Sequence, residues 1–210
     1  SEKIVYLPNS YQPNDTKKKI SKKIFKREDA GLLKNNFVFC SFNQSSKILP
    51  EIFDIWMNIL RKVDNSVLWL LESNLISREN LKNEADKRRV NRNRIIFADR
   101  LPLEEHLARL KMADLFIDTF PCNGHTTTSD ALWAGLPVLT LQGETFASRV
   151  ASSLLKTMDL DELVTKSINE YEKLANNLCN DLDALKKIKQ KIKKNLIKSK
   201  LFNSKAYTEN

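Results

Sequence analysis

FVFCSFNQSSKILPEIFDIWMNILRKVDNSVLWLL, residues 37–71, places one amphipathic helix between two short apolar strands. The runs FVFCSF (37–42) and SVLWLL (66–71) have the length of strands and are apolar on both faces. Between them, Pro50 opens a segment in which apolar residues recur at helical spacing. These residues are Ile52, Ile55, Trp56, Ile59 and Leu60. Strands joined through a helix run parallel, so this stretch predicts a strand–helix–strand unit of a parallel sheet.

The alternation of strands and helices continues as far as residue 141. The pattern predicts strands at 94–98, 114–120 and 137–141, and helices near 78–90, at 103–113 and at 127–135, the last ending at Gly135. Strands that are apolar on both faces and separated by helices form parallel sheets that are covered on both sides. The sequence therefore predicts an α/β fold, a doubly wound and Rossmann-like parallel sheet.

The two ends of the chain depart from this alternation. Residues 1–36 are expected to form an irregular lead-in with a helix, and residues 37–165 the Rossmann-like domain. Beyond residue 147 the pattern is helical only, and it includes a long segment from about 169 to 200. Residues 166–210 are therefore predicted to form a C-terminal helical segment that packs on the domain.

Composition limits the classes of protein to which the chain can belong. With 210 residues and 41% hydrophobic content, it has enough apolar side chains for one globular core. No apolar run approaches the roughly twenty residues that cross a bilayer, so no membrane partner is expected. Three cysteines without a close pair argue against a disulfide framework or a zinc site, and they fit a cytoplasmic location.

The net charge of +9 is concentrated at the two ends of the chain. Residues 1–36 carry a net +5 and residues 165–210 a net +6, whereas residues 37–164 carry −2. The lysines are spaced by apolar residues and lack interleaved arginine and aromatic side chains, which is more typical of a solvated helix face than of a nucleic-acid groove. We therefore expect no nucleic-acid partner; salt-sensitive binding by the basic ends is the alternative.

The stretch PCNGHTTTSD, residues 121–130, follows the predicted fourth strand and opens the next helix. In doubly wound sheets, ligands bind beyond the carboxyl ends of the strands. Gly124 lets a ligand approach the backbone, and the hydroxyls of residues 126–129 accompany the free N–H groups of a helix start, which attract anions. The stretch therefore indicates a phosphate site; the alternative is that these residues only cap the helix.

Two further loops are expected at the same edge of the sheet. NQSSK (43–47) follows the first strand, where Lys47 is placed to neutralise a departing diphosphate and Gln44 to donate a hydrogen bond to it. After the third strand, His106 and Arg109 lie three residues apart on one helical face. Taken alone, each fits better as an exposed lysine or a structural histidine, but three loops that converge on one crevice indicate a nucleotide site.

Five motifs in a fixed order give these loops a family resemblance. They are FNQSSK, EEH, CNGHTTTSD, LWAGLPV and GETFASRV. With them, the chain resembles the C-terminal half of the catalytic region of the O-linked N-acetylglucosamine transferase/SPINDLY family, in its bacterial form. The resemblance implies that residues 37–165 are the nucleotide-sugar-binding domain of a GT-B glycosyltransferase whose donor is UDP-N-acetylglucosamine (UDP-GlcNAc).

The resemblance also assigns roles to the residues on the phosphate side. It implies that Lys47 is catalytic and stabilises the leaving diphosphate, and that Gln44 is its polar neighbour. It further implies that His125, Thr126 and Thr127 grip the diphosphate. Both assignments agree with the phosphate site that the helix start itself indicates.

On the nucleoside side, the resemblance implies that Asp130 binds the ribose and that His106 and Arg109 lie beside the uracil. One position departs from the family pattern, because animal enzymes have a lysine where this chain has Leu103. The contacts with the base are therefore expected to differ from those of the animal enzymes.

The implied reaction is displacement with inversion at the anomeric carbon by a Ser or Thr hydroxyl of a protein acceptor, without a metal or other cofactor. Two D-x-D triplets, Asp159–Asp161 and Asp181–Asp183, lie in the helical C-terminal part. There they fit helix caps or surface carboxylates better than a metal site.

The resemblance also implies partners that this chain lacks, namely the first Rossmann half and the helical repeats of a parent protein. Little transfer activity is expected without them. Two alternatives stay open: the same fold with another donor, such as GDP-fucose or UDP-glucose, and a binding module without catalysis.

Overall fold

A sheet of six parallel strands forms the centre of the computed structural model, which describes residue 3 and residues 5–209. In chain order the strands are β1 (Phe37–Ser41), β2 (Ser66–Leu71), β3 (Ile95–Ala98), β4 (Leu115–Ile117), β5 (Val138–Leu141) and β6 (Val164–Thr165). Their order across the sheet is β3-β2-β1-β4-β5-β6, and every neighbouring pair is parallel. The predicted doubly wound α/β fold is confirmed.

Eight α-helices connect and follow these strands in the described residues. They are α1 (Pro50–Lys62), α2 (Leu75–Lys87), α3 (Leu103–Arg109), α4 (Thr126–Trp133), α5 (Val150–Thr157), α6 (Ile168–Asn180), α7 (Leu182–Lys198) and α8 (Ser204–Glu209). None of these helices has both the length and the apolar composition needed to span a bilayer.

The strand order reverses between β1 and β4. Successive crossovers move from β1 outward to β2 and β3, and the chain then returns to place β4 on the other side of β1. Phe39 pairs with Leu115 and Cys40 with Phe116 along this central ladder. Because the loops after β1 and β4 leave the sheet in opposite directions, a crevice opens between them at the carboxyl edge, where ligands of such sheets bind.

The core forms where the sequence pattern predicts it. All five residues of β1 are buried, as expected for a central parallel strand. The predicted apolar face of α1 is buried as well, and Trp56 at its middle is fully enclosed. There Trp56 donates an indole hydrogen bond of 3.3 Å to the hydroxyl of Tyr171 on α6.

The predicted role of Gly135 in capping the C-terminus of α4 is confirmed. Gly135 adopts a left-handed conformation with φ +83°, which costs little without a Cβ atom. The N–H of Gly135 bonds to the carbonyl of Leu132 at 3.0 Å, and the N–H of Leu136 bonds to that of Ala131 at 2.9 Å. This is a Schellman arrangement, and it turns the chain directly into β5.

The structure adds one strand and divides one predicted helical segment. β6 has two residues, too few to produce a recognisable pattern in sequence. The segment from about 169 to 200 is two helices, because Asp181 leaves the helical conformation and its side chain accepts the N–H of Ala184 at 2.9 Å. Asp181 is thus a helix cap, one of the two roles that the sequence left open for its triplet.

Residues 5–36 contain one short 3-10 turn, Glu28–Ala30, and otherwise run without helix or strand. Ile20 and Phe25 nevertheless pack against the core, and Arg27 forms a 2.8 Å ion pair with Asp114. The predicted division of the chain at residues 36 and 165 stays a prediction, and its outermost residues 1, 2, 4 and 210 lie outside the described residues.

Candidate functional site

Lys47 bridges the two loops of the crevice. It ends the 3-10 turn Ser45–Lys47 after β1, and its Nζ donates a hydrogen bond of 2.8 Å to the carbonyl of Asn123 in the loop after β4. Asn123 lies two residues before His125. The structure therefore brings together Lys47 and the PCNGHTTTSD stretch, as their positions after β1 and β4 predict.

The charge of Lys47 is not neutralised by a carboxylate. Its side chain is half-buried, and among the described residues it takes part in no ion pair. The Asn123 carbonyl is a neutral partner that an incoming anion can replace. A full positive charge is thus available at the crevice.

The start of α4 forms the opposite wall, and its backbone is closely packed. A Cβ atom on Gly124 would lie 2.6 Å from Oγ1 of Thr127 and 2.7 Å from Oγ1 of Thr128, so only glycine fits there without rearrangement. Thr126 is exposed at the first turn. The first N–H groups of a helix have no partner within it and carry its positive dipole end, so this turn presents donors to an anion.

Beneath the crevice, a buried carboxylate joins its two loops. Asp118 follows β4, is 1% exposed, and accepts hydrogen bonds from the side chain of Asn43 and from the N–H of Gly124 at 3.0 and 2.7 Å. Burial raises the pKa of Asp118 to about 6, although its hydrogen bonds favour the charged form. Neither Asn43 nor Asp118 was among the residues predicted from sequence.

His125 lies at the mouth of the crevice in an aromatic environment. Its Nδ1 is 2.8 Å from the hydroxyl of Tyr11, and the rings of His125, Tyr11 and Phe146 pack edge to face. Burial lowers the pKa of His125, and the charge of Lys47 lowers it further. Both effects favour the neutral imidazole over the charged one.

The lead-in segment contacts α4 directly, a feature that local sequence patterns did not indicate. Lys18 Nζ lies 2.6 Å from Oδ1 of Asp130, and these two side chains are 12% and 9% exposed. At the preceding residue of α4, the hydroxyl of Ser129 donates to the side chain of Asn14. Asp130, predicted to bind ribose, is thus held by a cation from the lead-in.

His106 and Arg109 lie together on α3, as predicted from their spacing. Nδ1 of His106 accepts a hydrogen bond of 3.1 Å from Nε of Arg109, which places the imidazole proton on Nε2. Arg109 is 4% exposed, packs over the rings of Phe42 and Trp69, and donates to the carbonyl of Asp99. Burial lowers the pKa of Arg109 to about 10.

Arg109, Trp69 and Asp99 line a cavity of about 360 Å³ at the carboxyl end of β2 and β3. Leu103, which departs from the family pattern, is 49% exposed at the start of α3. Gln44 is exposed, and its side-chain amide forms no hydrogen bond within the described residues, whereas its backbone carbonyl accepts the N–H of Lys47 at 3.0 Å. The structure thus groups Lys47, His125 and Thr127 around one crevice and His106 with Arg109 around the neighbouring helix.

The stability of the fold is expected to depend on pH through His106. Burial, and secondarily the charge of Arg109, lower its pKa from the ordinary 6.5 to about 4. Between these values the unfolded chain binds the proton and the folded chain does not, so the free energy of unfolding falls as the pH drops through this window. The expected loss is about 3 kcal/mol at most.

Urea unfolding of the wild type and of His106→Gln from pH 7 to pH 4 tests this expectation. Contributions from Asp118 and other carboxyls are common to both proteins and cancel in their difference. The free energy of unfolding of the wild type, relative to that of His106→Gln, should fall as the pH drops from 7 to 4. A difference between the two proteins that is the same at pH 7 and pH 4 would show that His106 titrates as in the unfolded chain.

The sequence profile of the family described as Glycosyl transferase family 41 matches residues 5–210. The chain belongs to glycosyltransferase family 41. The SEC protein of Arabidopsis thaliana is 38% identical to this chain over 216 aligned residues. The match covers 100% of this chain and 22% of the SEC protein. A UDP-N-acetylglucosamine–peptide N-acetylglucosaminyltransferase of Caenorhabditis elegans is 41% identical over 170 residues, covering 81% of the chain and 15% of the relative.

A mutant of the O-GlcNAc transferase of Thermobaculum terrenum has the same fold, with a TM-score of 0.83 and 29% sequence identity. The match covers 99% of this chain and 40% of the chain of that structure. Sucrose-phosphate synthase of Thermosynechococcus elongatus shares the fold alone, with 13% sequence identity and a TM-score of 0.65. That match covers 87% of this chain and 45% of the synthase chain. The chain spans about a fifth of the length of the curated relatives that it matches. The resemblance inferred from the five motifs is confirmed.

Proposed function

We propose that this chain is the nucleotide-sugar-binding half of an inverting, metal-independent glycosyltransferase, which moves N-acetylglucosamine from UDP-GlcNAc to Ser or Thr hydroxyls of proteins. Membership of family 41 supports the reaction class. The observation that supports the proposal most strongly is the contact of Lys47 with the loop that precedes α4. This contact places a lysine side chain without a carboxylate partner among the described residues beside a helix start, at the point where the strand order of the sheet reverses.

The diphosphate of the donor is proposed to lie between these two walls. Lys47 would exchange the Asn123 carbonyl for a phosphate oxygen, which gains a charge-assisted hydrogen bond. His125 and the N–H groups of Thr126 and Thr127 would bind the diphosphate from the α4 side, and Gln44 would donate from its exposed position.

The nucleoside is proposed to extend toward α3 and the inner part of α4. Asp130 would accept a ribose hydroxyl with its second carboxylate oxygen, since Lys18 already occupies Oδ1. His106 and Arg109 would lie beside the uracil, near the cavity that Arg109 lines. Trp69 and Phe97 supply apolar surface at that cavity.

In the proposed reaction, the acceptor oxygen forms a bond to the anomeric carbon while the bond from that carbon to the diphosphate oxygen breaks. Negative charge grows on the departing diphosphate, and preorganised donors at that position lower the barrier. Lys47 and the dipole of α4 would supply them. The acceptor hydroxyl loses its proton to a base that we assign to no residue of this chain.

The proposed partners are a protein acceptor and the first Rossmann half with the helical repeats of a longer protein, in line with the fraction of its relatives that the chain spans. We also propose a cytoplasmic location. Its support is that Cys40, Cys122 and Cys179 are all free thiols, which fits a reducing compartment.

Calorimetric titration of the chain with UDP, GDP and UMP tests the proposed donor. We expect UDP to bind with a dissociation constant in the millimolar range or tighter, and to raise the melting temperature by mass action. UMP, which lacks the β-phosphate, should bind more weakly. Binding of GDP in preference to UDP would overturn the donor assignment, and the absence of binding by either diphosphate would overturn the nucleotide-sugar function.

A further inference from the structure

Asn43 links three elements of the crevice through one buried amide. It is the second residue after β1 and is 2% exposed. Its Nδ2 donates to Oδ1 of Asp118 at 3.0 Å and to Oγ1 of Thr119 at 2.8 Å. Its Oδ1 accepts the hydroxyl of Thr127 in the first turn of α4. The side chain therefore ties the loop that carries Lys47 to the end of β4 and to the start of α4.

Asp118 fixes the direction of these hydrogen bonds. Its carboxylate accepts the N–H groups of Thr119 and Gly124 at 2.9 and 2.7 Å, and its second oxygen accepts the hydroxyl of Thr140 at 2.8 Å. An ionised carboxylate only accepts, so the amide of Asn43 must turn its NH₂ toward Asp118 and its oxygen toward Thr127. Thr127 must then donate its hydroxyl proton to Asn43.

This polarity limits what Thr127 can offer a ligand. Because its hydroxyl proton is committed to Asn43, the Thr127 side chain has no proton left for a phosphate oxygen. The backbone N–H groups of the first turn keep theirs. The carboxylate of Asp118 also accepts the N–H of Gly124. A Cβ atom on Gly124 would lie only 3.0 Å from Oδ1 of Asn43, so the two residues are closely packed.

We propose that Asn43 and Asp118 are positioning residues of the donor site, which act through Thr127 and Gly124 to hold the start of α4 in register with the Lys47 loop. The inference rests on the proposed function, because it assumes that a nucleotide diphosphate binds in this crevice. Neither residue contacts the donor. Their effect is to preorganise the backbone donors of α4 opposite the amine of Lys47, so that binding does not have to order them.

A double-mutant cycle on the chain tests the proposal, with the UDP dissociation constant as the readout. Asn43→Ala and Thr127→Val each break the same bridge, so each is expected to weaken UDP binding about tenfold, equivalent to about 1.4 kcal/mol. The UDP dissociation constant of the double variant should lie within about twofold of that of the single variant that binds UDP less tightly. The reason is that the second change removes a bridge that is already lost. Additive losses, near a hundredfold, would mean that Thr127 serves the ligand without Asn43 and would overturn the proposal.

A matched control separates positioning from stability. Asn58→Ala on α1 removes a hydrogen bond of 2.9 Å to Glu172, which also joins an asparagine amide to a carboxylate but lies outside the crevice. It should lower the melting temperature without changing UDP affinity. A loss of UDP affinity in Asn58→Ala comparable to that in Asn43→Ala would assign the effect to general destabilisation and contradict the proposal.

Asn43→Asp keeps the test informative if Asn43→Ala does not fold. This variant sets a second carboxylate against Asp118. The other titratable groups of the two loops are Lys47, Cys122 and His125, and from α6 the hydroxyl of Tyr171 donates to the Asp118 carbonyl at 3.0 Å. Two adjacent carboxylates share a proton as the pH falls, and the protonated pair restores the donor and acceptor pattern of the wild type. UDP affinity relative to wild type should therefore be reduced at pH 8 and recover toward pH 6; a ratio that is constant over this range would overturn the proposal.

The outcomes distinguish this inference from the proposed function. If the wild-type chain does not bind UDP, the nucleotide-sugar function fails. If the wild type binds UDP and Asn43→Ala binds it equally well, the function stands and the positioning role of Asn43 and Asp118 fails.

Discussion

Lys47→Ala is expected to lower kcat about a hundredfold or more in a transfer-competent form of the protein, while the fold survives. The amine contributes most when charge builds on the departing diphosphate, so its loss should reduce kcat more than it raises the KM for UDP-GlcNAc. A hundredfold loss corresponds to about 2.7 kcal/mol of transition-state stabilisation. Steady-state kinetics with a peptide acceptor and circular dichroism measure the two quantities.

Lys62→Ala is the matched control for this substitution. Lys62 ends α1 and is ion-paired with Glu172 at 2.8 Å, with its side chain 57% exposed. Removing it deletes a lysine without touching the crevice, so kcat should stay within about twofold of the wild type. Near-normal turnover in Lys47→Ala would remove Lys47 from the mechanism.

Gly124→Ala is expected to weaken UDP binding at least tenfold and to destabilise the chain by about 1–3 kcal/mol, the usual range for overpacking. The new methyl group would overlap Oγ1 of Thr127 and of Thr128 at 2.6 and 2.7 Å. Either these threonines shift or the loop moves away from Asp118, and both changes displace the N–H groups that face the crevice. Calorimetric titration with UDP and urea unfolding measure the two effects.

Gly135→Ala provides a comparison at the other end of α4. A Cβ atom there meets nothing within 4 Å, but the φ of +83° strains any residue other than glycine. This variant should lose about 1 kcal/mol of stability and keep its UDP affinity. If Gly124→Ala bound UDP as tightly as Gly135→Ala does, close packing at Gly124 would have no part in the donor site.

Periodicity predicted the parts of the fold that bury apolar side chains in regular repeats. β1 and β2 have the predicted bounds to within one residue, and α1 begins at Pro50 as predicted, because their apolar patterns are long and uninterrupted. β6 was missed because two residues have no period. The break at Asp181 was missed because one capping residue interrupts an otherwise continuous helical pattern.

The candidate site was predictable where topology alone determines proximity. Residues that follow two adjacent parallel strands meet at one edge, and this places Lys47 beside the loop that opens α4. The contact of Lys18 with Asp130 joins residues 112 positions apart through an irregular segment, and no local pattern encodes it. Asp118, a carboxylate at the end of an apolar strand, was the available signal for the buried network.

The most direct test of the proposed donor site is a crystal structure of the chain with bound UDP. The diphosphate is expected between the loops after β1 and β4, with a phosphate oxygen within about 3.2 Å of Lys47 Nζ and another within that distance of an N–H group of Thr126 or Thr127. A diphosphate bound elsewhere on the sheet, or a Lys47 side chain that still contacts the Asn123 carbonyl while UDP is bound, would contradict the proposed donor site.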